Sequence, residues 1–226
     1  MSSVHEDVRL RNRQAIFKDR FEAGRSLGEF MASEDEGLNR SIVLAIPAGG
    51  VPVGVELSKR LGIPFDCLIV RKIQIPGNTE AGFGAVASGG EPLLNHDLVR
   101  RLGLSQEQID AQTAKVHQEL EVRERLFRSN KPLPDLTGTT VILTDDGLAS
   151  GFTMLAALET VRRRGARTVV VAVPTAPLSS VRRVQSSADV VISLHVQEAG
   201  PFAVANAYRN WYDLTREEVV ELLHSL

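Results

Sequence analysis

The chain has 226 residues, a formal net charge of −2 at pH 7 and 43% hydrophobic residues, which is the composition of an ordinary globular domain. A chain of this length buries about 70% of its unfolded surface, so it needs no disulfide or metal for stability. The near-neutral charge gives no general attraction for nucleic acid, and we expect no nucleic-acid partner.

Membrane association and secretion are not expected either. No apolar run approaches the roughly 20 residues of a membrane span, and residues 1–10 lack the apolar segment of a signal peptide. The single cysteine, Cys67, lies in an apolar run and is interpreted as a core residue rather than a nucleophile. One unpaired cysteine fits a reducing compartment, so the expected location is cytoplasmic.

Apolar runs alternate with amphipathic stretches, which is typical of an α/β domain with a parallel central sheet flanked by helices. In the first half the pattern predicts a helix over 17–31, a strand over 41–46, a helix over 53–61 and a strand over 66–70. The Gly-rich stretch from Ile73 to Gly90 has no clear period. We interpret it as a long loop with a short hairpin near 84–87. Long irregular loops in compact domains are usually functional, so we predict a mobile lid here.

The second half begins with a charged helix over 105–128, in which Ser105 and Gln108 form a possible capping box. Its apolar positions are sparse, which favours a solvated surface helix and leaves a dimer contact as the alternative. Strands are then predicted over 140–144, 168–173 and 190–194, with helices over 153–164 and 178–186. We interpret residues 1–226 as a single domain. The aromatic tail, residues 197–226, either forms a small hood over the site or fastens itself to the core.

The strongest functional pattern runs from Thr140 to Thr153. A buried strand delivers Asp145 and Asp146, called the acid pair below, to the carboxyl edge of the predicted sheet, where open α/β folds bind ligands. A loop of mostly small residues follows, and a helix begins near its end. This phosphate loop consists of Gly147, Leu148, Ala149, Ser150, Gly151, Phe152 and Thr153.

The composition of the phosphate loop favours an anion. Small residues let backbone N–H groups approach a phosphate, and the helix N-terminus adds about half a positive charge. The preceding carboxylates are suited to accept hydrogen bonds from sugar hydroxyls, so one ribose 5-phosphate could satisfy both groups. The alternative is an Asp-rich turn that merely caps a helix. The order of apolar strand, acid pair and Ser-Gly-x-Thr favours the ligand site, and the loop is not a Walker A motif because it lacks Gly-Lys-Ser/Thr.

Val141–Thr153 resembles the 13-residue fingerprint of type I phosphoribosyltransferases, enzymes that use phosphoribosyl pyrophosphate (PRPP). It departs from that fingerprint at Thr144, Gly147 and Phe152. The segments Ala45–Gly54 and Val70–Gly82 resemble the first loop and the closing loop of the same fold. The stretch Phe-x-Asp-Arg-x-x-Ala-Gly, Phe17–Gly24, extends the resemblance to a group of small bacterial and archaeal phosphoribosyltransferases.

The resemblance implies a Mg²⁺-dependent transfer of ribose 5-phosphate from PRPP to a nucleobase, with release of pyrophosphate, in a homodimer. In this scheme the acid pair holds the ribose hydroxyls and touches Mg²⁺ indirectly. Backbone of Ala48, Gly49 and Gly50 holds the pyrophosphate, although a basic residue is often found in the group where this chain has Ala48. Charge on the pyrophosphate is neutralised by Arg71 and by Lys72, which is also assigned a catalytic role.

Two further residues are candidates for contact with the acceptor. Glu80 would close over the site or touch the base, although a solvated loop charge is equally in keeping with its position. His195 could reach the base, but a lone histidine is more often structural. The alternative function is a PRPP-sensing regulatory protein without catalysis. A phosphotransfer receiver domain is disfavoured because its acid pair would lie near the domain's N-terminus.

Overall fold

The computed structural model describes residues 3–34, 40–78 and 81–224. The strands are β1 (Ser3–His5), β2 (Ser41–Ala45), β3 (Phe65–Cys67), β4 (Val70–Gln74), β5 (Gly82–Ala87), β6 (Leu93–Leu94), β7 (Thr140–Thr144), β8 (Thr168–Pro177) and β9 (Val190–Gln197). The helices are α1 (Arg20–Glu34), α2 (Gly50–Leu61), α3 (His96–Leu102), α4 (Gln106–Arg128), α5 (Phe152–Arg163), α6 (Leu178–Gln185) and α7 (Arg216–His224), with a 3-10 helix over Val204–Ala207.

Six parallel strands form the central sheet in the order β1-β9-β8-β7-β2-β3. Successive side chains of a strand point to opposite faces, and the apolar runs of β2, β7 and β8 are buried on both. Val43 and Ile142 pack with α1 and α2 on one face. Leu44 and Leu143 pack with α5 and α6 on the other. The prediction of a parallel central sheet flanked by helices is therefore confirmed.

The stretch from Ile73 to Gly90 is more regular than the long loop with a short hairpin near 84–87 that the sequence suggested. β4, β5 and β6 form a separate antiparallel sheet, and the strand predicted over 66–70 divides between the two sheets. Phe83 and Val86 pack in a cluster with α4, whereas Ala85 packs in the cluster that contains α5. Because β5 is buried from both sides, its small and apolar residues show no alternation, and the sequence looks irregular.

Helix α4 matches its prediction closely. Ser105 Oγ accepts a hydrogen bond from the backbone N–H of Gln108 at 3.2 Å, and the Gln108 side chain accepts one from the Ser105 N–H at 3.0 Å. This is the capping box expected from the sequence. The sparse apolar positions Ile109, Val116 and Leu120 pack in the cluster that also contains Val219 of α7, so one side of the helix is part of the core.

The register of the central sheet positions the functional loops. Ala45, Thr144 and Ala172 are aligned across β2, β7 and β8 near one edge of the sheet. The loop that follows β2 therefore lies beside the loop that follows β7. Within the described ranges, no helix combines the length and the apolar character that crossing a bilayer requires.

The β4–β5 hairpin generates a prediction about hydrogen exchange. The amides of 70–74 and 83–87 should exchange slowly in the free protein, at rates closer to those of the central strand β8 than to those of surface loops, because these residues are hydrogen-bonded and largely buried. Mass spectrometry of exchange in the ligand-free protein measures this. Fast exchange throughout both segments would contradict the hairpin and restore the mobile lid.

Candidate functional site

A cavity of about 400 Å³ opens at the carboxyl edge of the central sheet, within the roughly 300–1,000 Å³ usual for small-molecule sites. It is lined by Arg20, Ala48, Gly49, Lys72, Asp145, Asp146, Gly147, Leu148, Ala149, Ser150, Gly151, Thr153, Met154, Val204, Trp211, Asp213 and Leu214. The cavity therefore brings together the acid pair, most of the phosphate loop, part of the loop after β2, and the tail.

The acid pair is partly buried and its two members differ in their partners. Asp145 Oδ1 accepts a hydrogen bond from the Asp146 backbone N–H at 2.8 Å. Burial, and then the negative charge of Asp146, raise the pKa of Asp145 well above its ordinary value. Burial also raises the pKa of Asp146, but the positive charge of Arg20 opposes this effect. Asp145 thus holds its proton more strongly than an exposed carboxyl does.

Arg20 is the cation that holds Asp146. Its Nε donates to Asp146 Oδ2 at 2.8 Å, and its Nη1 donates to the backbone carbonyl of Tyr212 at 2.8 Å. The guanidinium carbon lies 3.9 Å from the centre of the Trp211 ring. Only 7% of the Arg20 side chain is exposed. One N–H of Arg20 therefore holds the carboxylate, and the second hydrogen bond and the Trp211 ring fix the guanidinium that donates it.

Tyr208 attaches the tail to the acid pair from a second direction. Its hydroxyl donates to the backbone carbonyl of Asp146 at 2.6 Å. The ring lies 5.8 Å from that of Phe17 and 5.3 Å from that of Trp211, and Phe17 and Tyr208 form a parallel β-bridge. We call the association of residues 15–20 with residues 206–212 the terminal contact. It also explains why α1 begins at Arg20 rather than at Phe17, where the periodicity places the start of the helix.

The phosphate loop is held from behind by α6. The Ser180 hydroxyl donates to the Ala149 carbonyl, and Arg183 donates to the Ser150 carbonyl. Gly151 has φ +81°, a conformation that favours glycine, and α5 begins at the next residue. The first N–H groups of a helix have no intrahelical acceptor, so this helix start offers donors to an anion in the cavity.

Glycines of the loop after β2 allow the acid pair to approach the backbone closely. A Cβ atom added at Gly49 would overlap the carboxylate of Asp146, and one added at Gly50 would lie 2.9 Å from the Asp145 Cα. Larger residues at these two positions would displace the acid pair. The loop after β2 therefore forms one wall of the cavity through its backbone.

Comparisons with known proteins agree with this geometry. The profile of the phosphoribosyl transferase domain matches residues 20–206. A Mycobacterium tuberculosis protein provisionally named a phosphoribosyl transferase is 39% identical over 208 residues. This chain belongs to the phosphoribosyl transferase family. The match covers 92% of the chain and 46% of that relative, so the chain spans about half the length of the curated relatives it matches.

Solved structures show the same fold. The crystal structure of TT1426 from Thermus thermophilus has a TM-score of 0.76 at 37% identity, covering 92% of this chain and 98% of that one. The AQ2163 protein of Aquifex aeolicus, with a TM-score of 0.51 at 14% identity, covers 84% of this chain and 78% of its own; this likeness shows the fold alone. The resemblance to type I phosphoribosyltransferases read from the fingerprint is confirmed.

Several residues expected in the phosphoribosyl transferase site lie elsewhere. Arg71 turns away from the cavity and pairs with Glu119 of α4 at 2.8 Å, since neighbouring residues of β4 point to opposite faces and Lys72 takes the cavity side. Phe152 is half-buried and does not line the cavity, and the Arg183 guanidinium lies 5.3 Å from the centre of its ring. Gly50 supports Asp145 from behind without lining the cavity. Glu80 lies outside the described residues.

His195 also falls outside the cavity. It is buried within β9, and its Nδ1 is hydrogen-bonded to Thr175 Oγ1 at 2.8 Å. Burial lowers the pKa of this imidazole. The fold therefore supports a structural role for His195 and does not support its contact with a base.

The sequence reasoning missed Arg20, Met154, Val204, Asp213 and Leu214 as lining residues. Arg20 carried a signal, because it belongs to the Phe17–Gly24 stretch that supported the family resemblance. Nothing local showed that its partner would be a carboxylate 126 positions away. The sequence showed only that the tail contains aromatic residues. The structure shows which tail residues line the cavity, namely Val204, Trp211, Asp213 and Leu214.

The raised pKa of Asp145 generates a prediction about stability. A carboxyl with a higher pKa in the folded than in the unfolded protein contributes stability at low pH that is lost as pH rises through the folded pKa. Asp145→Asn removes this loss and keeps the oxygen that faces the Asp146 N–H. We expect the variant to be more stable than the parent protein at pH 8 by about 0.5–2 kcal/mol, the usual size of a stabilising substitution.

Urea unfolding at pH 8 and at pH 4.5 measures the effect, and the advantage of Asp145→Asn should shrink at the lower pH. Asp97→Asn, on the exposed surface of α3, is the matched control and should shift stability little at either pH. A variant that is less stable than the parent at pH 8 would contradict the conclusion that ionised Asp145 destabilises the folded protein.

Proposed function

We propose that this protein is a PRPP-utilising transferase that moves ribose 5-phosphate from PRPP to a ring nitrogen of a nucleobase or related planar acceptor. The observation that supports the proposal is the cavity in which the acid pair adjoins the phosphate loop. A carboxylate pair suits the vicinal hydroxyls of ribose, and a helix start with small residues suits its 5′-phosphate. The acid pair and the phosphate loop, which suit two parts of one ligand, are adjacent in the chain and in space.

The residues of the cavity divide the ligand between them. The N-terminus of α5, with Ser150 and Thr153, would bind the 5′-phosphate. The acid pair would accept hydrogen bonds from the two ribose hydroxyls, with Arg20 keeping the carboxylate of Asp146 in place. Backbone of Ala48 and Gly49 would meet the pyrophosphate. Lys72, on the cavity side of β4, would neutralise the charge that develops there.

The reaction breaks the bond between C1 of the ribose and the pyrophosphate oxygen, and it forms a bond from C1 to nitrogen. The bonding electrons leave with the pyrophosphate, so positive charge develops on the ribose ring and negative charge on the leaving group. An ionised acid pair would stabilise the cationic ring, while Lys72 would stabilise the anion. The positive charge that develops on the ribose ring would in turn lower the pKa of Asp145 and favour the ionised form of this carboxyl.

The residues of the cavity fit a Mg²⁺ ion that is bound together with the substrate. Within the described part of the chain no group of three or more His, Cys, Asp or Glu side chains is arranged to hold a metal ion. Mg²⁺ is typically held by one or two carboxylates together with water and substrate phosphates. Asp145 and Asp146 would supply the protein's share, directly or through water, and the ion would neutralise charge on the pyrophosphate.

The acceptor would lie under the tail. Trp211, Val204 and Leu214 give the cavity apolar walls, and Asp213 adds a carboxylate at the same side. An aromatic and apolar wall with one acceptor of hydrogen bonds suits a planar ring that carries N–H or amino groups. The hood expected from residues 197–226 is thus proposed to receive the base.

A first prediction concerns PRPP binding by the acid pair. Asp145→Asn combined with Asp146→Asn should weaken Mg-PRPP binding at least about 100-fold, since each charge-assisted hydrogen bond contributes about 1.5–3 kcal/mol. Isothermal calorimetry measures the change. The control is Asp97→Asn with Asp110→Asn, which removes two carboxylates from the surface of α3 and α4. Equal affinity in the acid-pair variant and the control would refute the site.

A second experiment separates the enzyme from the PRPP-sensing alternative. Pyrophosphate release should be measured with Mg-PRPP and a panel of purine and pyrimidine bases, nicotinate and orotate. An enzyme should release pyrophosphate with at least one acceptor, and the acid-pair variant should release none above background. Tight PRPP binding without release across the panel would favour the regulatory protein.

A further inference from the structure

A second cavity lies on the other side of β4 from the acid pair. It has a volume of about 490 Å³ and is formed where β4, α4 and α7 meet. Four cationic side chains line it: Arg71 of β4, Lys115 and Arg123 of α4, and Arg216 of α7. We call it the cationic cavity. It shares no lining residue with the cavity that contains the acid pair.

The charge of the cationic cavity is not balanced by its own residues. Glu119 is the carboxylate among the described lining residues, and its Oε2 already accepts hydrogen bonds from Arg71 Nε at 3.1 Å and Nη2 at 2.8 Å. Burial lowers the pKa of Arg123, and the nearby charges of Arg71 and Arg216 lower it further. The cations therefore repel one another, and an anion placed among them would relieve that repulsion.

This arrangement differs from that of another arginine on the same helix. Further along the same helix, Arg128 is held by Asp66 at 2.7 Å and by Glu124 at 3.3 Å, so a cation of α4 elsewhere meets carboxylates. In the cationic cavity the four positive groups come from three separate elements and converge on one concave space. A solvated helix face would present its charges outward and apart.

We propose that the cationic cavity binds a small anion carrying at least two phosphate charges. Arginine forks match phosphate oxygens two at a time, and three arginines with one lysine exceed the requirement of a single carboxylate. The volume falls within the range of small-molecule sites. Val122, which is 45% exposed, adds an apolar surface to the same cavity, and this suits an organic portion attached to the phosphates.

The position of the cationic cavity places it next to the proposed transferase site without making it part of that site. Arg71 and Lys72 are consecutive residues of β4 and face opposite cavities. An anion bound at Arg71 would compete with Glu119 for its guanidinium. The inference does not rest on the proposed transferase function, because no residue of the acid pair or the phosphate loop takes part.

The test uses pyrophosphate without added magnesium as the probe, with hydrogen exchange followed by mass spectrometry on the whole chain. Sodium sulfate at equal ionic strength is the reference. In the parent protein, pyrophosphate should slow exchange in 112–126. Arg123→Gln with Arg216→Gln should abolish this slowing and weaken pyrophosphate binding at that segment at least tenfold. Any slowing in 147–154, which reports the other cavity, should remain.

Two further variants make the outcome decisive. Arg101→Gln with Arg125→Gln removes two exposed arginines outside the cationic cavity, and it should behave as the parent protein does. Lys115→Gln changes an exposed position where folding is not at risk, and it should weaken binding about threefold or more. Two results would overturn the proposal. One is exchange in 112–126 that does not respond to pyrophosphate in the parent protein. The other is a response as large as the parent's in both Arg123→Gln with Arg216→Gln and Lys115→Gln.

Discussion

The burial of two adjacent carboxylates at the edge of a parallel sheet is the constraint on which the rest of this structure depends. Removing carboxylates from water is costly unless a cation or hydrogen-bond donors replace the solvent. Arg20 supplies the cation for Asp146, and the Tyr208 hydroxyl occupies its backbone carbonyl. Both groups must reach the carboxyl ends of the strands, so the segments that carry them fold onto this edge. The terminal contact is the structural consequence of having the acid pair there.

How much could be foreseen depended on how local each feature is. Strand β7, the acid pair and the start of α5 follow one another within residues 140–153, so their patterns could be interpreted together. The position of the site at the carboxyl edge of the sheet then followed from the geometry of parallel α/β folds. The sequence suggested only a short hairpin near 84–87 where the structure has the longer β4–β5 hairpin. Burial on both faces removes the alternation that marks a strand. Because the predicted strand ended at Val70 and the predicted loop began at Ile73, nothing indicated that Arg71 and Lys72 would point to opposite sides. Once they belong to β4, the opposition follows directly.

Strand β4 separates two environments of contrasting charge. On the side of Lys72 the cavity contains the acid pair and donors of the α5 N-terminus, so positive and negative groups alternate over a short distance. On the side of Arg71 positive groups predominate. A strand can separate two such environments when helices cover one of its faces and a cleft borders the other. A helix in this position would spread its charged residues around a cylinder, and the two environments would merge.

The terminal contact has a bearing on the order in which the protein acquires its structure. Arg20 meets Asp146 across 126 positions and Tyr212 across 192, and contacts of such wide separation form slowly because much chain entropy is lost before they are made. During synthesis Asp146 leaves the ribosome 62 residues ahead of Tyr208, after β2, β3 and β7 but before β8, β9 and the tail that covers it. A nascent chain that has also released β8 and β9 can assemble the central sheet while the acid pair still lacks the cover of the tail. The cavity described above would therefore be completed only when residues 206–212 close onto residues 15–20.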